Sequence, residues 1–316
     1  MSVRRTYYIT HPSSRDHDMG PGHPEQPARV SAIEDRLIAA GVLDFLHHRT
    51  ARPATGDQLA HAHDTLYLDE LAAAAPTGDD RLVRLDPDTA MNRHTLTAAA
   101  HAAGAIVQAV DLVLGNDGGA AFCNTRPPGH HAERGQAMGF CFYNNVAIGA
   151  LHALDAHGLD RVAIIDFDVH YGNGTADIVG GDKRILLCSS YQYPLYPLSR
   201  PATEAANFSN VMLKAGDGGD AFRAAVTAHW FPALERFAPQ LVLFSAGFDA
   251  HAEDPLAEMQ LVEDDYAWVT REIIRRTAAS AAQRVVSTLE GGYDLSALGR
   301  AATAHIQALM EPDATF

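Results

Sequence analysis

The stretch RVAIIDFDVHYGNGT (residues 161–175) decides the fold. Val162 to Ile165 is an almost wholly apolar run, as a strand buried on both faces of a parallel sheet requires. Asp166, Asp168 and His170 follow at alternate positions, and Gly172 and Gly174 let the backbone turn. In an extended segment, residues two apart point to one side, so the three can converge. Carboxylate and imidazole donors at the carboxyl end of a buried strand suit a zinc-type ion, and that end of an open α/β sheet is where ligands bind. Taken alone, the stretch also reads as a strand-terminal turn whose aspartates cap the next helix.

Working outward, the same alternation recurs. Thr6 to Thr10 reads as a first strand, followed by a polar loop with His11, His17, Asp18 and His23. Those histidines are assigned to the rim of a site and not to a metal. Val30, Ile33, Leu37 and Ile38 mark a helix stopped by Gly41. Thr50 to Leu85 is uninformative. A long Ala-rich helix spans Thr95 to Leu114, and a strand at Ala120–Asn124 runs into Arg126-Pro-Pro-Gly-His-His131. A helix from Asn144 to Gly158 has an Asn cap and a Gly stop. Strands are expected at Arg184–Cys188, Leu241–Ser245 and Arg284–Leu289, with helices at Ala221–Phe237, Asp264–Ala278 and Leu295–Met310. Strands alternating with helices predict a three-layer α/β/α fold with a central, mainly parallel sheet. No linker or repeat divides residues 1–316, so one catalytic domain is expected.

Four expected strands each end in reactive residues beside glycine: His130 and His131, Asp166 to His170, Asp249, and Tyr293. In a parallel sheet these ends share one edge. Asp168, His170 and Asp249 make a set of two carboxylates and one imidazole that balances a 2+ ion and leaves room for water and substrate, as catalytic zinc sites do. The Pro-Pro-Gly before the tandem histidines permits an irregular loop that aims both inward. A histidine beside metal-activated water is a natural general base, because its ordinary pKa lies near neutrality. Tyr293, after Gly291 and Gly292, is placed to donate a hydrogen bond to a developing oxyanion.

Composition sets limits. Apolar residues make up 47% of the 316, enough for a large core. No apolar stretch reaches the length of a membrane span, and the N-terminal patch is too short for a signal core. Cys123, Cys141 and Cys188 lack paired spacing and read as reduced core residues of a cytoplasmic protein. A balance of 24 basic against 39 acidic residues, −15 overall, argues against nucleic acid and suits cationic substrates.

RPPGHHAERGQAMGFCFYNN (126–145), DFDVHYGNGT (166–175), SAGFDAH (245–251) and LEGGYD (289–294) resemble the zinc-dependent histone deacetylase superfamily. They are most similar to its class II and bacterial amidohydrolase branch, the relatives of acetylpolyamine amidohydrolases. HPEQPAR (23–29) is similar to that branch's access loop. The resemblance implies an arginase-deacetylase fold that hydrolyses N-acyl amines. It implies Asp168, His170 and Asp249 as zinc ligands, His131 as general base and then acid, and His130 as its electrostatic assistant. It implies Tyr293 as the group polarising the carbonyl, with Asp166 and Asn173 behind the two histidines. From the resemblance alone comes a structural potassium ion beside Asp166, Asp168, His170 and Ser189, held partly by backbone carbonyls. Phe140, after Gly139, matches the tunnel aromatic, Tyr196 the opposite wall, and Asp88 the residue that holds substrate backbone.

An acylated lysine in a protein or peptide competes with an acetylated polyamine as substrate. Polyamine-specialised relatives place Glu after the Asp-Pro that follows the third ligand; here Leu256 stands there, which favours lysine, while Glu258 two residues on blurs the contrast. A binder without activity would lack one of these groups, and an arginase-like ureohydrolase would want carboxylates for two metals. A homo-oligomer is left open, and iron or cobalt would accept the same ligands.

Overall fold

In a computed structural model, described for residues 4–78, 82–115, 118–198 and 205–314, the elements follow in the expected alternation. The strands are β1 (Thr6–Thr10), β2 (His47–Thr50), β3 (Val83–Arg84), β4 (Ala90–Met91), β5 (Ala120–Cys123), β6 (Val162–Asp166), β7 (Ile185–Gln192), β8 (Phe208–Leu213), β9 (Leu241–Ala246) and β10 (Val285–Leu289). The helices are α1 (Ser13–Asp16), α2 (Ala28–Ala39), α3 (Gly56–Ala60), α4 (Thr65–Ala74), α5 (Thr95–Leu114), α6 (Asn145–Asp155), α7 (Asn173–Val179), α8 (Gly219–Phe237), α9 (Glu263–Ala281) and α10 (Leu295–Met310).

Eight strands form one sheet in the order β2-β1-β5-β10-β9-β6-β7-β8. Every pairing in it is parallel. Its core strands are buried on both faces because successive side chains go to opposite sides. Ile165, Val242 and Phe244 join one apolar layer with Ile33 of α2, Val226 of α8, Ile273 of α9 and Ile306 of α10. Ile164, Leu241 and Leu243 join the other with Ile106 and Val110 of α5 and Val146 of α6. The fold is thus the expected α/β/α sandwich.

The sequence reading overlooked β2 and β8, and the reason is physical. Both lie at sheet edges: β2, HHRT, is exposed along its length and β8 is only partly buried. Neither needs the apolar run that betrays a central strand. The stretch read as uninformative holds α3 and α4, the first with a Thr55–Gln58 capping box. One expectation on membranes is corrected. Among the described residues, α5 is long and apolar enough to span a bilayer, with mean hydropathy 1.4, but 61% of that window is buried inside the fold. It is apolar because it packs between the sheet and its neighbours.

Candidate active site

The four central strands β5, β10, β9 and β6 are neighbours, and their carboxyl ends carry the reactive residues to one edge of the sheet. The pleat does not continue to align Asp166, Asp168 and His170, as the sequence spacing suggests. Strand β6 ends at Asp166, and the chain turns by side chain-to-backbone hydrogen bonds. The Asp168 amide donates to Asp166 Oδ1 at 3.1 Å and the His170 amide to Asp168 Oδ1 at 2.9 Å. Asp166 is therefore swung away, to His130, while Asp168 and His170 meet Asp249 from the end of β9.

Those three buried residues place their ligand atoms within 4.8 Å of one another. Backbone amides occupy the outer carboxylate oxygens: Gly291 donates to Asp168 Oδ2 at 2.8 Å and Val169 to Asp249 Oδ1 at 2.9 Å. Asp168 Oδ1, which also takes the His170 amide, and Asp249 Oδ2 face the third donor: His170 Nδ1 lies 3.0 Å from the first and 3.1 Å from the second. Such separations suit donors each about 2.0–2.2 Å from a shared ion, so the set fits a zinc-type cation. Electrostatics agree: burial alone would lower the His170 pKa, but the two carboxylates reverse this and raise it to about 10. Burial and the neighbouring Asp168 push Asp249 up to about 7. Two carboxylates packed this closely call for a positive charge between them.

The tandem histidines both turn inward, with ring centres 4.0 Å apart. His130 Nδ1 lies 3.1 Å from Asp166 Oδ2. Burial opposes its charge, yet Asp168 and Asp166 hold its pKa well above the ordinary value. Burial, His130 and His170 hold His131 well below it. His131 Nδ1 lies 2.7 Å from Asn173 Oδ1, while the Asn173 amide group donates to Glu133 Oε1 at 2.7 Å. That second bond fixes which way the amide faces, so its oxygen accepts from His131 Nδ1–H. The Nε2 lone pair of His131 is then left for the cavity.

That cavity, about 230 Å³, is lined by Asp88, His131, Gly139, Phe140, His170, Leu195, Tyr196, Leu256 and Tyr293. Tyr196 stands edge-on to the His131 ring at 5.0 Å, and Phe140 edge-on to Tyr293 at 5.9 Å. Gly139 has φ +55°, and a Cβ there would lie 2.5 Å from His131 Cδ2, so only glycine lets the wall approach His131. Phe140 follows in the left-handed region at φ +70°, a conformation costing about 1–3 kcal/mol. Its amide donates to Thr89 Oγ1 at 3.0 Å, which helps hold it. Burial, with Asp249 and Asp168 nearby, raises the Tyr293 pKa well above its ordinary value, so the phenol keeps its proton. Asp166, Asn173, Ser189 and Gly291 do not line the cavity, and neither do His130, Asp168 and Asp249, which lie behind His131 and His170.

Of the loop histidines, His23 is at the rim, its ring 4.7 Å from Phe140 and its Nε2 3.1 Å from the Asp88 carbonyl. His17 is not. It is wholly buried, 2.8 Å from Thr95 Oγ1 and 3.4 Å from Glu25. His11 stacks on His101, away from the cavity.

Three supports escaped the sequence reading. Glu290, just before the two glycines, accepts from the amides of Gly129 and His130 at 2.7 and 3.1 Å and so holds the tandem-histidine loop. Arg29 donates to the carbonyls of Gly292 at 2.7 Å and Glu290 at 2.5 Å, and its guanidinium lies 5.1 Å from the Tyr293 ring centre. Asp254 accepts from the Tyr293 amide at 2.7 Å. Glu290 and Arg29 signalled themselves by position within the quoted motifs and Asp254 by the Asp-Pro after the third ligand; their partners lie far away in sequence.

A family model described as "Histone deacetylase domain" matches residues 23–309. The chain is 36% identical over 279 residues to the histone deacetylase-like amidohydrolase of Pseudomonas aeruginosa, covering 86% of this chain and 73% of that one. It is 33% identical to the human polyamine deacetylase HDAC10, covering 90% of this chain and 44% of that one. The crystal structure of the HDA15 HD domain superposes with TM-score 0.91 at 30% identity, covering 99% of this chain and 91% of that one. The span matched by the family model, together with the identity to the amidohydrolase and the HD domain over most of their length, shows that the chain belongs to the histone deacetylase family of hydrolases.

Proposed function

We propose that this chain is a single catalytic unit that removes acyl groups from the ε-amine of lysine in peptides or proteins. Asp168, His170 and Asp249 would hold one zinc ion. When bound, the ion supplies Lewis acidity, polarising an amide carbonyl and acidifying water. The chain's own residues do the rest. His131 Nε2 takes the proton of the attacking water, since Asn173 commits Nδ1–H elsewhere, and then returns a proton to the departing amine. Tyr293 donates its O–H to the acyl oxygen as negative charge develops there. His130, held by Asp166, keeps positive charge beside the reaction. Phe140, Tyr196 and Leu256 exclude water along the methylenes. Ser189 Oγ is buried with no hydrogen-bond partner, next to Asp166 in the sheet register. That orphaned oxygen supports a potassium ion held by Asp166, Asp168, His170 and Ser189, which would brace the ligand loop.

The observation that carries lysine over polyamine is Leu256. It lines the cavity where a polyamine site would want a carboxylate for the second cationic nitrogen, and the exposed Glu258 does not line it. The similarity to a polyamine deacetylase favours the second reading, an acetylpolyamine amidohydrolase. The test compares kcat/KM for an acetyl-lysine peptide with those for acetylputrescine and acetylspermidine, using zinc-loaded protein and Tyr293→Phe. Preference for the peptide, reduced about 10²–10³-fold in the variant as for a lost oxyanion donor, supports lysine deacylation. Preference for the polyamines replaces it with the second reading.

A further inference from the structure

Outside the candidate ligand set, Asp111, His152 and His157 also place their ligand atoms within 4.8 Å of one another. His152 Nε2 and His157 Nε2 reach the same oxygen, Asp111 Oδ1, at 2.7 and 2.8 Å. The two rings stand nearly perpendicular, 81° apart with centres at 5.4 Å, so both nitrogens face one point. The packing fixes this. Helices α5 and α6 touch so closely at Gly149 that a Cβ there would lie 2.8 Å from the Ile106 side chain, which brings Asp111 and His152 together about one turn later. Asp111 lies in the last turn of α5, His152 in the last turn of α6 and His157 just beyond it. Both helices therefore direct the negative ends of their dipoles at this point, on a chain of net charge −15. Asp111 is half exposed, so solvent and ions reach it.

We propose that Asp111, His152 and His157 form a second metal site, a surface staple between α5 and α6 for a borderline divalent cation of the Zn²⁺ class. Two imidazoles and one carboxylate select such ions over Mg²⁺ or Ca²⁺, which prefer oxygen cages. An ion between the three donors spreads them by about 0.5 Å to reach ordinary ligand distances, displaces the protons on the two Nε2 atoms, and keeps open positions for water. It clamps the carboxyl ends of two helices whose other faces bury the core.

The site is independent of the catalytic set and is tested by counting ions. Metal-free protein is titrated with Zn²⁺ against a chromophoric chelator, for wild type, His152→Ala/His157→Ala and His170→Ala, with circular dichroism as a folding control. Two ions per chain in wild type and one in each variant are expected. Zn²⁺ up to one equivalent also raises Tm in His170→Ala, whereas Zn²⁺ beyond the first equivalent raises Tm in wild type and leaves the double variant unmoved. If the double variant binds as many ions as wild type, the proposal is overturned. Loss in the double variant but not in His170→Ala upholds it and removes the catalytic assignment instead. Should the double variant fail to fold, Asp111→Asn answers the same question.

Discussion

Glu25 offers the sharpest test of how the segment 23–29 is held. Its side chain, with those of Arg29, Arg126 and His17, is wholly buried. Arg126 grips both carboxylate oxygens, through Nε on Oε1 and through NH2 on Oε2 at 2.6 Å, while Arg29 donates to Oε1 at 3.0 Å. Burial works against the charge, but Arg126, His17 and Arg29 together hold the Glu25 pKa well below the ordinary carboxylate range. Burial lowers the His17 pKa, so that ring brings little charge of its own. The substitution Glu25→Gln leaves two guanidinium groups buried around a neutral amide, one end of which is itself a donor. Breaking a buried pair from one side costs about 3–5 kcal/mol. Urea denaturation at pH 7 should show a loss of that size. A depressed folded-state pKa contributes stability that is present above the unfolded value, about 4.3, and is lost as pH falls through the folded value. The gap between wild type and Glu25→Gln should therefore be widest near neutrality and shrink on acidification below about pH 4. A gap under about 1 kcal/mol at pH 7, no larger than an exposed pair gives, would refute the reasoning. So would a gap independent of pH.

Further outcomes follow from the site. Gly291→Ala would place a Cβ 2.0 Å from Asp249 Oδ2 and 2.7 Å from Asp168 Oδ2. It should weaken zinc affinity at the catalytic ligands by about 10-fold or more with the fold intact, read by chelator competition. Asn173→Ala leaves the buried His131 Nδ1–H without an acceptor, a cost of about 1–3 kcal/mol, and should lower kcat/KM accordingly. Asn173→Asp restores the acceptor with a negative charge that favours the imidazolium. The acid limb of its kcat/KM profile should move to higher pH. Leu256→Glu puts a carboxylate on the cavity wall and should shift the ratio of kcat/KM toward acetylspermidine by about 10-fold or more, measured against the acetyl-lysine peptide.

The sequence by itself determined the layers of this protein and the identity of its reactive groups. Short apolar runs such as Val162 to Ile165, alternating with helical patterns, read as strands buried on both faces, and reactive residues after them then share the sheet's carboxyl edge. The reactive residues of the candidate site were legible for that reason: they follow the strands β5, β6, β9 and β10, in segments that also carry glycine. What only the tertiary structure decided is how those groups are aimed and held. Asp166 and Asp168 look equivalent in sequence, yet a pair of side chain-to-backbone turns sends one to His130 and the other to the ligand set. Arg29, Glu25 and Glu290 meet partners more than 100 residues away, and no local pattern encodes such a contact. The edge strands β2 and β8, exposed on the outside of the sheet, carry too little buried surface to leave a periodic mark. Local pattern records which face of an element is buried; which distant groups come to lie there is settled when the layers close.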